Sequence, residues 1–230
     1  KGFGGEEMKK QTGVWWNKAM NGGNASAMNG LGYAYENSEL GLTQSDTKAN
    51  ELYALAAKKG QAHARYNLGN NYANGTGVEI DFNRCVELLD QSAKQGNVCA
   101  QYNLADIYNL GSQDGPPMTI PVDPQLSFKW NLAAAKQELL ATFEGSKLLR
   151  TDYQMECWTA AMNNTGMAYS LGRGVEQNDE TAFEWCMKAA TQGQQEGGPQ
   201  QGAQICIGSF YEKGQGVEVD LVQAMHWYQK

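Results

Sequence analysis

The chain has 230 residues, a net charge of −7 and only 38 Leu, Ile, Val and Phe residues, whose usual place is taken by 26 Ala, 27 Gly, 11 Tyr and 6 Trp. This net charge is too small for a disordered chain, and the lack of a Lys/Arg run disfavours nucleic acid as a partner. No apolar run approaches the roughly 18 residues of a membrane-spanning helix, so we expect no direct membrane insertion.

A set of residue columns recurs five times along the chain. Each repeat has an Ala, a Leu-Gly pair or its equivalent and a Tyr three residues later. A turn and a polar capping residue follow, and they precede a second helix. The Tyr column is Tyr35, Tyr72, Tyr108, Tyr169 and Tyr211, and the capping column is Ser45, Asp81, Asp123, Asn178 and Asp220. A unit of about 36 residues that recurs, with insertions in its later copies, predicts a stack of similar structural repeats.

The repeat around Leu68 indicates what the columns do. Leu68 lies on the apolar face of a first helix, and Gly69 beside it leaves room for a second helix. Gly75 and Gly77 supply a turn with positive φ, after which Asp81 caps the second helix. Because neither helix can cover its apolar face alone, neighbouring repeats must stack. The sequence therefore predicts an all-α solenoid, a right-handed superhelix of about five helix-turn-helix repeats.

The predicted domains follow in chain order. They are the end of a preceding repeat at 1–23, repeat one at 24–60, repeat two at 61–96, repeat three at 97–138, repeat four at 139–193 and a truncated repeat five at 194–230. Three insertions interrupt the pattern, namely a Pro-rich turn at 112–122, a segment at 139–157 and a Gly/Gln-rich loop at 194–202. The segment at 139–157 is either an extension of a first helix or an edge where a partner docks. Since both ends fall inside a repeat, we expect a fragment of a longer protein.

The columns resemble the Sel1-like repeat family, α-solenoid relatives of the tetratricopeptide repeats. Segments 100–104 and 185–190 are especially similar to the family pattern, and the resemblance covers the chain apart from its insertions. It implies a non-catalytic scaffold, either an adaptor or an accessory subunit of a multiprotein assembly. Two alternatives stay open: the targeting module of an enzyme whose catalytic part lies outside this sequence, and a secreted cysteine-containing repeat factor.

Residues for catalysis or metal binding are few. His63 and His226 lie in different repeats, and the glycine pairs recur as the repeat turn, without the lysine of a nucleotide-binding loop. No Cys or His pair has the spacing of metal ligands. We therefore expect no enzyme activity, no catalytic residue, no metal and no cofactor.

The five cysteines, Cys85, Cys99, Cys157, Cys186 and Cys206, follow no repeat column. Only repeat four contains two. In its hairpin, the position on the second helix that faces Cys157 lies about one helical turn, ~5–6 Å, away from Cys186. That displacement is beyond disulfide reach. We expect reduced, buried thiols, which favours an intracellular location and leaves a secretory or periplasmic lumen as the alternative.

The resemblance also implies a binding surface. In tetratricopeptide relatives the first helices line the concave face, and the residue before the Leu column contacts bound peptide. That column here contains Asn67, Asn103 and Asn164, whose amides can both donate to and accept from an extended backbone. The other predicted protein-binding positions are Tyr66, Asn70, Tyr102, Asp106, Asn163 and Met167. Alternatively, the Asn side chains bond the adjacent repeat.

The chemistry of this face suggests the kind of protein partner. The net charge of −7 predicts a partner that is neutral to basic. The face lacks the Lys and Arg residues of a carboxylate clamp, so a C-terminal carboxylate is not the expected ligand.

Overall fold

The computed structural model describes residues 6–111, 120–137, 152–196 and 201–230. Within these ranges the chain forms eleven α-helices and no strand, which confirms the predicted all-α class. The helices are α1 (Glu6–Asn21), α2 (Ala25–Glu36), α3 (Asp46–Lys58), α4 (Ala62–Asn74), α5 (Phe82–Lys94), α6 (Val98–Leu110), α7 (Pro124–Ala135), α8 (Asp152–Leu171), α9 (Asp179–Glu196), α10 (Gln201–Lys213) and α11 (Leu221–Tyr228).

The chain is divided into two compact units, one at 1–100 and the other at 101–230. In the first unit α2 packs on α3, α4 on α5, and α3 on α4 of the next repeat. In the second unit α8 packs on α9 and α10 on α11, and both α7–α8 and α9–α10 are contacts between repeats. Most of the Pro-rich turn and of the segment at 139–157 lies outside the described residues, as does the middle of the Gly/Gln-rich loop.

In each of the five repeats, the second helix begins directly after the polar residue that the sequence predicts as its cap. The side chains of Ser45, Asp81, Asp123, Asn178 and Asp220 each accept from the backbone N–H three residues later, over 2.9–3.4 Å. The backbone N–H of the same residue donates to the carbonyl of the repeat's column Tyr, over 2.8–3.0 Å. These two bonds close each turn.

The second glycine of each turn lies against the preceding repeat. Gly77, Gly174 and Gly216 have φ of +65°, +72° and +65°, as the prediction of a positive-φ turn requires. A Cβ at Gly77 would lie 2.6 Å from the Cβ of Asp46, the first residue of α3. The turn of one repeat therefore packs on the start of the second helix before it, a contact that spacing within a repeat does not predict.

A glycine also permits close approach of the two helices within a repeat. A Cβ at Gly69 would lie 3.4 Å from the Cys85 carbonyl oxygen and from side-chain atoms of Leu88 and Leu89. This confirms the predicted proximity of α4 and α5. At the equivalent Gly166 the space is tighter, since a Cβ would lie 2.6 Å from Cys186 Sγ.

A polar network joins the first two repeats inside the first unit. The buried Asn71 amide donates to Glu36 Oε1 over 2.9 Å and to Asn50 Oδ1 over 2.8 Å. Asn50 in turn donates to the Thr76 carbonyl over 2.7 Å. The fully buried Tyr53 donates to Glu36 Oε2 over 3.0 Å, and burial, reinforced by the Glu36 charge, raises the pKa of its hydroxyl. The network links α2, α3 and α4.

Candidate functional site

In the first unit, the predicted binding residues make contacts within the repeat stack. The Asn67 amide on α4 donates to Asn29 Oδ1 on α2 over 3.1 Å. This is a bond to the adjacent repeat, which was the alternative interpretation of the Asn column. Tyr66 is buried and Asn70 is half-buried. The assignment of these three residues to a partner stays a prediction.

In the second unit, several predicted positions surround one cavity of about 300 Å³. Tyr102 and Asp106 line it from α6, and Asn164 and Met167 line it from α8. The predicted residues Asn103 and Asn163, on the same two helices, are not among those that line it. Further residues that sequence reasoning did not single out complete the wall, among them Ser127, Phe128, Asn131, Leu171 and Arg173.

Two oxygen acceptors lie in the wall of this cavity. Desolvation raises the pKa of the Asp106 carboxyl above its ordinary value, although the residue itself stays exposed. Asn131 on α7 is 5% exposed, and its Oδ1 has no hydrogen-bond partner in the described part of the chain. A buried acceptor in this state costs free energy until a donor reaches it. The cavity is therefore suited to a group that carries N–H or O–H donors.

Aromatic rings supply a share of the apolar wall. Phe128 packs edge-on against Tyr169, with ring centroids 5.3 Å apart and an interplanar angle of 87°. Burial, together with the charge of Asp106, raises the pKa of the Tyr102 hydroxyl. Tyr102 therefore stays neutral near pH 7. A side chain with an apolar stem and a donor at its end matches this combination of rings and acceptors.

A signal for Asn131 exists in the sequence. Eight residues after each cap stand Tyr53, Leu89, Asn131, Cys186 and Tyr228. This column is buried in four of the five repeats, and Asn131 is its one amide. A single polar residue in an otherwise weakly polar, buried column marks the cavity, but it lies on a second helix, where we predicted no binding residue.

The repeats also allow the chain to be compared with known protein families. Five segments of the chain match the model of the Sel1 repeat, at residues 25–61, 62–97, 100–139, 159–194 and 203–230. The chain belongs to the Sel1 repeat family. Sel1 repeats are generally protein–protein interaction modules, and the predictions of family and fold class are confirmed.

Solved Sel1 structures share the fold at low sequence identity. A Sel1 repeat protein from Oxalobacter formigenes matches over 95% of this chain and 82% of its own, with 22% identity and a TM-score of 0.72. A protective antigen of uropathogenic Escherichia coli strains, which displays an SLR fold, matches over 96% of this chain and 48% of its own, with 24% identity and a TM-score of 0.53. At such identities the similarity shows the Sel1 fold alone.

Two further findings concern other kinds of site. Among the described residues, no cluster of three or more His, Cys, Asp and Glu could hold a metal ion. In the same part of this Sel1 chain, no helix has both the length and the apolar character needed to cross a membrane.

The cysteines differ from the sequence prediction. Cys99 and Cys157 are disulfide-bonded, whereas Cys85, Cys186 and Cys206 are free thiols. The prediction of five reduced cysteines is therefore wrong for two of them. Within repeat four it holds, since Cys186 is not bonded to Cys157.

Thiol counting tests this assignment. The Sel1 chain, purified under nitrogen and unfolded without reductant, is expected to show three reactive thiols, because Cys99 and Cys157 are oxidised. The count should rise to five after reduction. A chromogenic disulfide reagent measures both values, and five thiols before reduction would show that the two cysteines are not bonded.

Proposed function

We propose that this Sel1 protein is a non-catalytic scaffold, an adaptor or accessory subunit that binds an extended segment of a partner protein on its concave helical face. The observation that carries the proposal is the cavity between α6, α7 and α8, which has four of the predicted binding residues in its wall. In this proposal Asn67, Asn103 and Asn164 pair with the partner backbone, and the cavity accepts one partner side chain.

The lining chemistry supports a basic side chain as the occupant. About 300 Å³ is at the lower limit for a ligand pocket and suits a single side chain. The ammonium of Lys or the guanidinium of Arg would donate to Asp106 and Asn131 Oδ1, while its stem would contact Tyr102 and Phe128. The net charge of −7 attracts a basic segment over longer range. Arg173 also lines the wall, and its positive charge offsets part of the attraction that Asp106 exerts on a cation.

A peptide-binding experiment tests the proposal. Fluorescein-labelled 12-residue peptides of extended sequence, identical except for Lys, Arg, Gln, Glu or Leu at the centre, are titrated into the full chain and followed by anisotropy. We expect the Lys and Arg peptides to bind most tightly. Asp106→Asn should weaken their binding about 10–100-fold, the effect of losing a charge-assisted hydrogen bond.

Glu51→Gln is the matched control, because it removes one exposed carboxylate on α3 that is not among the residues lining the cavity. Equal losses in the two variants would mean that net charge alone drives binding, and the cavity proposal would fail. Binding that survives Asp106→Asn but disappears when residues 139–151 are deleted would instead identify the inserted segment as the interface.

One observation favours a second candidate, the secreted cysteine-containing repeat factor. Disulfides persist in oxidising compartments and are rare in the cytosol, and Cys99 and Cys157 are disulfide-bonded. Alkylation of thiols in intact source cells before lysis, followed by fractionation, tests it. An oxidised chain in the periplasmic, luminal or secreted fraction supports this candidate, and a fully alkylated cytosolic chain excludes it.

A further inference from the structure

Two buried thiols on neighbouring repeats lie almost within bonding distance. The Sγ atoms of Cys186 on α9 and Cys206 on α10 are 2.9 Å apart. Cys186 is fully buried and Cys206 is 9% exposed. A disulfide needs a separation of about 2.05 Å, so the sulfurs have roughly 0.9 Å to travel. We propose that Cys186 and Cys206 are the site of a second disulfide, which cross-links repeats four and five under oxidising conditions.

The surroundings of the pair suit a cross-link. Gly166 on α8 makes room for the Cys186 sulfur, since a Cβ there would lie 2.6 Å from it. Cys206 Sγ lies 3.4 Å from Met167 Sδ, and Cys186 Sγ lies 3.9 Å from Asn163 Oδ1. Both of these contacts are with uncharged side chains, and α9 already packs on α10.

The two thiols differ in reactivity. The hydrogen bond from the Cys186 thiol lowers the pKa of Cys206, although burial opposes this effect, and the same bond together with burial raises the pKa of Cys186. Cys206, which is also the more exposed, is therefore the attacking thiolate. By contrast, burial raises the pKa of Cys85 to about 11, with a further contribution from Asp81, so this thiol stays protonated.

The reaction needs a small-molecule disulfide such as oxidised glutathione as the oxidant. The Cys206 thiolate attacks one glutathione sulfur, which forms a mixed disulfide and releases one glutathione thiolate. The Cys186 thiol gives its proton to that thiolate, and its sulfur then attacks the Cys206 sulfur and expels the second glutathione, which takes a proton from solvent in place of the one that Cys206 lost. Two protein thiols and one oxidised glutathione thus become one protein disulfide and two reduced glutathiones.

The cross-link does not depend on the proposed partner binding, although Met167 contacts Cys206 and also lines the cavity. The site was not apparent from the sequence because Cys186 belongs to a second helix and Cys206 to the next first helix, 20 residues further on. Only the packing of consecutive repeats brings the two columns together.

Oxidation of the full native chain tests the proposal. In a buffer rich in oxidised glutathione, the free thiol count should fall from three to one and the intact mass by two hydrogen atoms, with a linked Cys186–Cys206 peptide in the digest. The control variant Cys85→Ser should fall from two thiols to none, whereas Cys206→Ser should form no protein cross-link.

A second arm removes the question of access to the buried thiols. The reduced, unfolded chain is refolded in the same buffer, and the count should fall from five thiols to one. If both arms leave Cys186 and Cys206 unlinked, either as free thiols or as separate glutathione adducts, the proposed cross-link is wrong.

Discussion

Replacing Gly174 by alanine is expected to destabilise the second unit by roughly 2–5 kcal/mol, the combined cost of a left-handed non-glycine residue and of overpacking. Gly174 has φ of +72°, and an added Cβ would overlap the Pro124 carbonyl and lie 2.9 Å from the Gln125 nitrogen. These are backbone atoms at the start of α7, so no side-chain rotation relieves the clash. Urea unfolding followed by circular dichroism measures the loss.

Gly172 in the same turn provides a matched control. Its φ of +63° imposes the same conformational strain, but a Cβ there would meet Gln177 at 3.5 Å and the Val175 carbonyl oxygen at 3.8 Å, both ordinary contacts. Gly172→Ala should therefore cost about 1–2 kcal/mol. If the two variants unfold at the same urea concentration, the contact between the turn and the preceding repeat contributes nothing.

Asn71→Ala is expected to lower the free energy of unfolding of the first unit by roughly 2–4 kcal/mol, since two acceptors lose their donor at once. Asn71 donates to both Glu36 and Asn50, and its side chain is buried. The Glu36 carboxylate would keep only Tyr53 from this network. Thermal and urea unfolding of the purified variant measure the effect.

Asn74→Ala, which changes an exposed amide in the last turn of the same helix, is the control and should change stability by less than about 0.5 kcal/mol. The Asn71→Ala/Asn50→Ala double variant should lose less than the sum of the two single variants, because they break one shared bond. Additive losses would show that the two amides act independently.

Local chemistry explains why the turns and caps could be predicted from the sequence. A cap such as Asp81 bonds an N–H three residues away, and Gly75 adopts its φ of +71° within the same turn. Both depend on a few consecutive residues. The contact of Gly77 with Asp46 joins different repeats, and nothing in the spacing of one repeat indicates which neighbour its turn will touch.

For the cavity, too, some residues could be predicted from the sequence and others could not. Tyr102, Asp106, Asn164 and Met167 were selected because they lie on first helices near the Asn column, and all four line the cavity. Asn131 was missed because it lies on a second helix, and the binding positions were predicted on first helices. The family resemblance predicts which helix face binds a partner. The depth of a cavity depends instead on how the side chains of three helices pack, and on where they leave space unfilled.

The bond between each Tyr carbonyl and the cap has a practical consequence for protein engineering. Tyr72 and Asp81 are nine positions apart and Tyr108 and Asp123 are fifteen, yet the two backbone bonds measure 3.0 and 2.8 Å. The ends of these two turns are thus joined in the same way, although one turn is six residues longer. The segment after Tyr108 is therefore a natural place to graft a peptide epitope or an affinity tag, because extra residues there leave the ends of α6 and α7 joined as they are now.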